Sequence, residues 1–301
     1  MNTSANLDGV PLVRLESNFL RVDVAPSVGG RVISLIDKAT GAELLWRNRA
    51  LSLRRLPAGA EYDPNFFGGI DELLPNDIPE TIDGVDCPDH GELWTTALDG
   101  QHKENQLTLR GALPRFGLQY ERQMALRADG PWVNLTCRIA NPTAQPRHFL
   151  WKLHAALNIA PGDMVACPAR KAQVVDLAWS RFHSLTPFDW PGIEGQKANV
   201  IPAANGTMDF FYLFDLIEGR MALRRQDGLT FAYHFDTKIF PYAWLFASYG
   251  GFNGHYTVIL EPCTAMPLSV NEAAAKKQCS LLEPGQTLET RVSISVSHQT
   301  L

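Results

Sequence analysis

Positive charge is nowhere concentrated in this sequence: 27 Lys and Arg stand against 32 Asp and Glu, a formal net charge of -5, and no basic block occurs. Phosphate-backbone binding rests on clustered Lys and Arg, so nucleic acid is not an expected partner. Long apolar runs are missing as well. No window approaches the roughly 18 apolar residues of a membrane-spanning helix, and Met1 to Pro11 holds neither a basic leader nor an apolar stretch. A cytoplasmic chain with no membrane partner is therefore expected. Cysteine is sparse: Cys87, Cys137, Cys167, Cys263 and Cys279 are scattered, odd in number and lack a Cys-x-x-Cys pair, which argues against a disulfide framework or a zinc site. No His-x-x-x-His or His-Glu-x-x-His spacing, Gly-x-Ser-x-Gly elbow, Walker A sequence or Gly-x-Gly-x-x-Gly fingerprint is present. The easiest arguments for metal catalysis, serine hydrolysis, nucleotide hydrolysis and dinucleotide redox chemistry thereby fall away. Neither a metal nor a cofactor is expected, and the field narrows to chemistry run by side chains.

Helical periodicity is scarce too, the best candidate being Asn271 to Gln278, while 23 glycines and 20 prolines punctuate the rest. What is there is alternation. Val133, Leu135, Cys137 and Ile139 fall on one face of an extended chain, and Val292, Ile294 and Val296 repeat the pattern near the end. Turn signals at Asp37 to Gly41, Ala128-Asp129-Gly130 and Gln226-Asp227-Gly228 separate such runs. Hydrophobic residues make up 45% of the 301, enough for a sizeable core. With no βαβ alternation and no linker composition, the expected fold is mainly β: one large antiparallel sandwich or barrel domain over residues 1–301. Pro57 to Pro88, Ala160 to Ala172 and Ser180 to Asn205 carry little pattern and read as long loops, of the kind that rim a binding cleft.

Two ionisable residues end short apolar runs: His154 in Trp151-Lys152-Leu153-His154 and Glu261 in Val258-Ile259-Leu260-Glu261-Pro262. In an extended strand, His148, Lys152 and His154 share one face and Trp151 and Leu153 the other. His154 reads either as a histidine hydrogen-bonded at a core edge or lying on a solvated face, or as a group near a loop mouth where a substrate could reach it. A carboxylate after four apolar residues is costly to bury alone, so Glu261 either points to water at a strand end or is paired and poised for work. Asp89-His90-Gly91-Glu92-Leu93-Trp94 packs acid, imidazole, glycine and indole into six residues, the mixture a carbohydrate pocket uses. Gly91 permits close backbone approach, and Trp94 is either a stacking surface for a sugar ring or a core aromatic.

These passages, with Val28-Gly29-Gly30-Arg31-Val32-Ile33-Ser34-Leu35 near the start and Leu282-Glu283-Pro284-Gly285-Gln286-Thr287 near the end, resemble the aldose 1-epimerases, or galactose mutarotase-like proteins, in order and spacing along nearly the whole chain. The resemblance implies a large β-supersandwich and a reaction in which a histidine protonates the ring oxygen of a sugar while a glutamate removes the anomeric hydroxyl proton. Those roles fall on His154 and Glu261. His90 matches the second pocket histidine, and Asp71-Glu72-Leu73-Leu74-Pro75-Asn76 looks like its neighbouring wall. Asp71, Trp94, Lys152 and Arg31 are the remaining expected substrate contacts. Ala155, Ala156 and Leu157 after His154 depart from the usual signature, which marks a divergent branch.

The implied partner is a small-molecule sugar or sugar phosphate, and the implied assembly a monomer or homodimer. A sugar-phosphate 1-epimerase would need cationic groups at the rim, for which Arg31, Arg54, Arg55 and Lys152 are available. A catalytically silent sugar-binding module would keep the cleft without productive acid and base geometry.

Overall fold

Chain direction reverses at nearly every short turn, and the strands so formed pair antiparallel in two large sheets. The computed structural model describes residues 5–298. Among them one sheet has 11 strands and the other 8. The alternation read from the sequence sets the smaller sheet: in Trp132–Ala140, Val133, Leu135, Cys137 and Ile139 are buried while Asn134 and Arg138 are exposed. That strand pairs with Thr287–His298, whose Val292, Ile294 and Val296 are buried in turn. The hairpin turns lie at the expected places, with Ala128-Asp129-Gly130 joining Gln119–Leu126 to Trp132–Ala140 and Gln226-Asp227-Gly228 joining Arg220–Arg224 to Leu229–His234.

A continuous apolar cluster holds residues of both sheets, Leu109, Met124 and Leu135 from one and Leu153, Leu157 and Leu260 from the other, which is the packing of a sandwich. The single α-helix among the described residues, Val270–Ala275, starts where Ser269 caps it by accepting from the Glu272 N–H. It overlaps the Asn271 to Gln278 region read as helical, beginning one residue earlier and ending three residues earlier. No helix among the described residues is long and apolar enough to cross a membrane.

One expectation needs correction. Pro57 to Pro88 is not a continuous loop, because Ile70–Leu73 is a fully buried interior strand of the large sheet, lying between Arg31–Asp37 and Lys152–Leu157. Its pattern was concealed by two adjacent acids that face opposite ways. Glu72 turns into the sandwich, where Arg122 Nη1 donates at 2.6 Å and Trp151 Nε1 at 2.8 Å, while Asp71 turns to the outer face. Similarly, Ala160 to Ala172 contains the strand Met164–Ala166 and the start of Ala169–Val174. Ser180 to Asn205 is closest to the expected loop, with three two-residue strands.

Candidate active site

Strand Lys152–Leu157 lies in the middle of the large sheet, between Ile70–Leu73 and Tyr256–Cys263. Leu153, Ala155 and Leu157 face the sandwich core, which leaves Lys152, His154 and Ala156 on the outer face. His154 is the register partner of Asp71. The constant register of the pairs Lys152↔Cys263 and Ala155↔Leu260 sets His154 opposite Glu261 on its other side. Glu261 in turn faces Trp244, and Trp244 faces Tyr212. One row of side chains therefore crosses the sheet, with His154 and Glu261 at its centre.

Asp71 fixes the histidine. Its Oδ1 accepts from His154 Nδ1 at 2.9 Å, and its Oδ2 accepts from Tyr62 Oη at 2.8 Å and Arg31 Nη2 at 2.7 Å. Burial pushes the Asp71 carboxyl up, but the Arg31 guanidinium and the His154 ring overcome it and hold the group at about 2. With Nδ1–H engaged by a carboxylate, Nε2 is the nitrogen left for chemistry.

Glu261 is 1% exposed, so its charge needs compensation. Lys152 supplies it: Nζ lies 2.6 Å from Glu261 Oε2 and 2.6 Å from Asp77 Oδ1, ion-pair contacts that lack hydrogen-bond alignment. The ammonium also stands 4.5 Å over the Trp244 ring. Burial works against the charge on Lys152, yet Asp77 and Glu261 outweigh it and raise its proton affinity above the ordinary lysine range. Asp77 is correspondingly held low: burial opposes ionisation and Lys152 overcomes it.

The third wall comes from the loop at Asp89 to Trp94. His90 stacks on Tyr62 with centroids 4.1 Å apart and planes 6° from parallel, and its Nδ1 lies 2.8 Å from Asp89 Oδ1. Burial lowers the proton affinity of His90, but the bond to Asp89 and the charge of Asp77 raise it overall. Gly91 is required here. At φ +72° a Cβ would lie 2.3 Å from the Leu74 carbonyl oxygen, so no other residue lets this loop lie against the Leu74 backbone.

These groups surround a pocket of about 190 Å³, smaller than the ~300–1,000 Å³ typical for drug-sized ligands. Its lining is mixed, polar at His154, Glu261, Lys152 and His90 and apolar at Phe66, Phe246, Phe252 and Ile259. Of the residues expected from sequence, Glu261, His154, His90 and Lys152 line it. Asp71 stands behind His154, bound to it. Arg31 and Trp94 do not line this pocket: Arg31 is spent on Asp71 and the Gly68 carbonyl, and Trp94 sits edge-on to Tyr62 in the small apolar cluster behind it. Arg54 and Arg55 are exposed and lie outside the lining. The sequence reading missed Asp77 and Tyr62, whose neighbours carry no strand pattern. The only signal was their place in a patternless stretch, Pro57 to Pro88, already read as a cleft rim.

A family model described as a domain of unknown function, DUF5107, matches residues 3–178, more than half of the chain. Among solved structures, the fold is shared with a protein from Synechocystis at a TM-score of 0.74 and 18% identity, over 99% of this chain and 100% of that one. It is shared too with galactose mutarotase-like proteins from Clostridium acetobutylicum (TM-score 0.72, 14% identity, 96% of each chain) and Lactobacillus casei (TM-score 0.66, 14% identity, 95% of this chain and 100% of that one). At such identities the likeness establishes the fold, which is the galactose mutarotase-like β-sandwich.

Proposed function

The chain belongs to the family described as domain of unknown function DUF5107, and from that premise we propose that it is a sugar mutarotase, interconverting the α and β anomers of an unphosphorylated monosaccharide. The observation that carries this reading is the placement of His154 and Glu261 opposite one another on adjacent strands in one small pocket, with Asp71 holding the histidine Nδ1.

Opening a hemiacetal needs a proton to leave O1 while another reaches the ring oxygen. Glu261 takes the O1 proton, the electrons left on O1 form the C1 carbonyl, and the C1 to ring-oxygen bond breaks. The ring oxygen collects its proton from His154 Nε2, with the imidazolium stabilised through Nδ1–H by Asp71. Rotation about C1–C2 presents the other carbonyl face, and reclosure with the two residues in exchanged roles returns both protons. The aromatic rings of Phe246 and Phe252 in the lining suit the C–H face of a sugar ring, and its polar side chains suit the hydroxyls.

Charge favours an unphosphorylated substrate over a hexose phosphate. Asp63, Asp77, Asp89 and Glu261 line the pocket against Lys152 and two histidines, and Lys152 is already shared by two of the carboxylates. A phosphate would enter a site without a free cation. One observation favours a second reading, a binding module without turnover: Lys152 occupies one oxygen of Glu261, which competes with its work as a base. NMR exchange between anomers of free hexoses, pentoses and hexose 6-phosphates separates the readings. Acceleration over the spontaneous rate that disappears in Glu261→Gln supports the mutarotase, whereas saturable sugar binding without acceleration supports the module.

A further inference from the structure

A second cavity, of about 240 Å³, lies on the other side of the Arg31 to Asp71 contact and shares no lining residue with the pocket above. Its walls are mixed, apolar at Leu53, Leu56 and Phe67 and polar at Ser52 and Asn65, and its only charged lining residues are Arg31 and Arg54. No carboxylate lines it. Two residues of this wall each carry a buried donor with no partner among the described residues: Arg31 Nε and Trp94 Nε1, on side chains each 2% exposed. Arg31 spends Nη1 on Gly68 and Nη2 on Asp71, so Nε is its one unengaged nitrogen. Arg54 makes no ion pair among the described residues and donates only to Asn65 Oδ1, at 3.3 Å. It therefore brings a positive charge that the protein does not neutralise.

A buried N–H without an acceptor is destabilising, and two such donors on residues of one cavity wall call for a reason. Both groups are donors only, as is the guanidinium of Arg54. What completes the set is an acceptor with negative charge. We propose that this cavity binds a small oxyanion, a carboxylate or phosphate carried on a short apolar body, with Arg31 Nε and Trp94 Nε1 donating to its oxygens, Arg54 closing the rim and Leu53, Leu56 and Phe67 enclosing the body. The assignment is independent of the sugar chemistry at His154, since it uses a separate cavity of opposite charge.

Trp94 makes the site directly observable. The seven tryptophans give separate indole N–H signals in a proton–nitrogen correlation spectrum, and Trp94→Phe identifies which is Trp94. Titration with sodium butyrate, sodium acetate and inorganic phosphate, against sodium chloride at matched ionic strength, is expected to move that signal saturably with at least one oxyanion and not with chloride. Tighter binding of butyrate than of acetate or phosphate identifies an organic carboxylate as the ligand; the reverse identifies phosphate. Arg54→Gln, a substitution at an exposed residue that leaves the fold intact, is expected to weaken the response by about tenfold. An indole signal that ignores all three anions, or moves identically in wild type and Arg54→Gln, overturns the proposal and leaves the two donors to water alone.

Discussion

Lys152 Nζ stands 2.6 Å from Glu261 Oε2, and the same ammonium reaches Asp77 at equal distance. One cation thus serves two buried carboxylates, and the cluster carries a net negative charge in a region almost closed to solvent. Removing the cation leaves both acids uncompensated. Lys152→Met is expected to destabilise the protein by ~3–5 kcal/mol, the usual cost of breaking a buried ion pair from one side. Urea unfolding at neutral pH measures it, and a loss below about 1 kcal/mol would show that the triad is not a structural element.

Glu261→Gln has the opposite character. It leaves Lys152 paired with Asp77, a neutral arrangement, so the fold should persist with a cooperative unfolding transition. Anomer exchange should fall by at least ~100-fold, the lower end of what a positioned proton-transfer group contributes. Exchange at half the wild-type rate or more would remove Glu261 from the mechanism.

Asp71 sets an acid limit on stability. Its carboxyl is held at about 2 against an ordinary value of 3.8, so between those values the unfolded chain binds the proton more readily than the folded one. The stabilisation is complete above pH 4 and is lost as the pH falls toward 2, with a magnitude on the order of 2 kcal/mol. Asp71→Asn should be less stable at pH 7 and should lose less on acidification. Urea midpoints at pH 5 and pH 2.5 for both proteins test this, and parallel losses would contradict it.

Gly91 and Gly84 form an internal control for the loop that carries His90. Both have positive φ, +72° and +77°, but a Cβ meets the Leu74 carbonyl at 2.3 Å in the first and nothing within 4 Å in the second. Gly84→Ala should cost only backbone strain, ~1 kcal/mol, whereas Gly91→Ala adds a backbone clash and should exceed ~3 kcal/mol. Thermal unfolding compares the two, and equal costs would mean that the loop moves freely off Leu74.

Hexose against hexose 6-phosphate tests the charge of the pocket. With the carboxylates of Asp63, Asp77, Asp89 and Glu261 lining it, the second-order rate for the free sugar should exceed that for the phosphate at least tenfold, or ~1.4 kcal/mol. A preference for the phosphate would overturn the choice of substrate class.

Legibility in the sequence followed burial on one side. Trp132–Ala140 and Thr287–His298 were readable because one face meets the core and the other meets water. Ile70–Leu73 was not, because both faces are buried and each carries an acid paired with an arginine from elsewhere, Asp71 with Arg31 and Glu72 with Arg122. Polar residues there look like a loop until their partners are known. His154 and Glu261 stood out because each closes an apolar run, and Lys152 because it shares the His154 face. Asp77 and Tyr62 reach the site through tertiary contacts formed by chain segments with no period, and no local pattern could have announced them. Trp94 shows the converse, an aromatic conspicuous in sequence that the fold uses behind Tyr62.

The row Arg31, Asp71, His154, Glu261, Trp244 and Tyr212 draws on six strands spread over most of the sequence. Each member faces the pocket side only because its strand is in register, and a slip of one residue would send it into the sandwich instead. No fragment or half-paired intermediate of these six strands can hold this row, so binding or turnover appears only when the last of the six has docked. The pocket thereby reports on its own assembly: recovery of ligand binding during refolding measures the pairing of these six strands, and a chain mispaired among them is silent before it is unfolded.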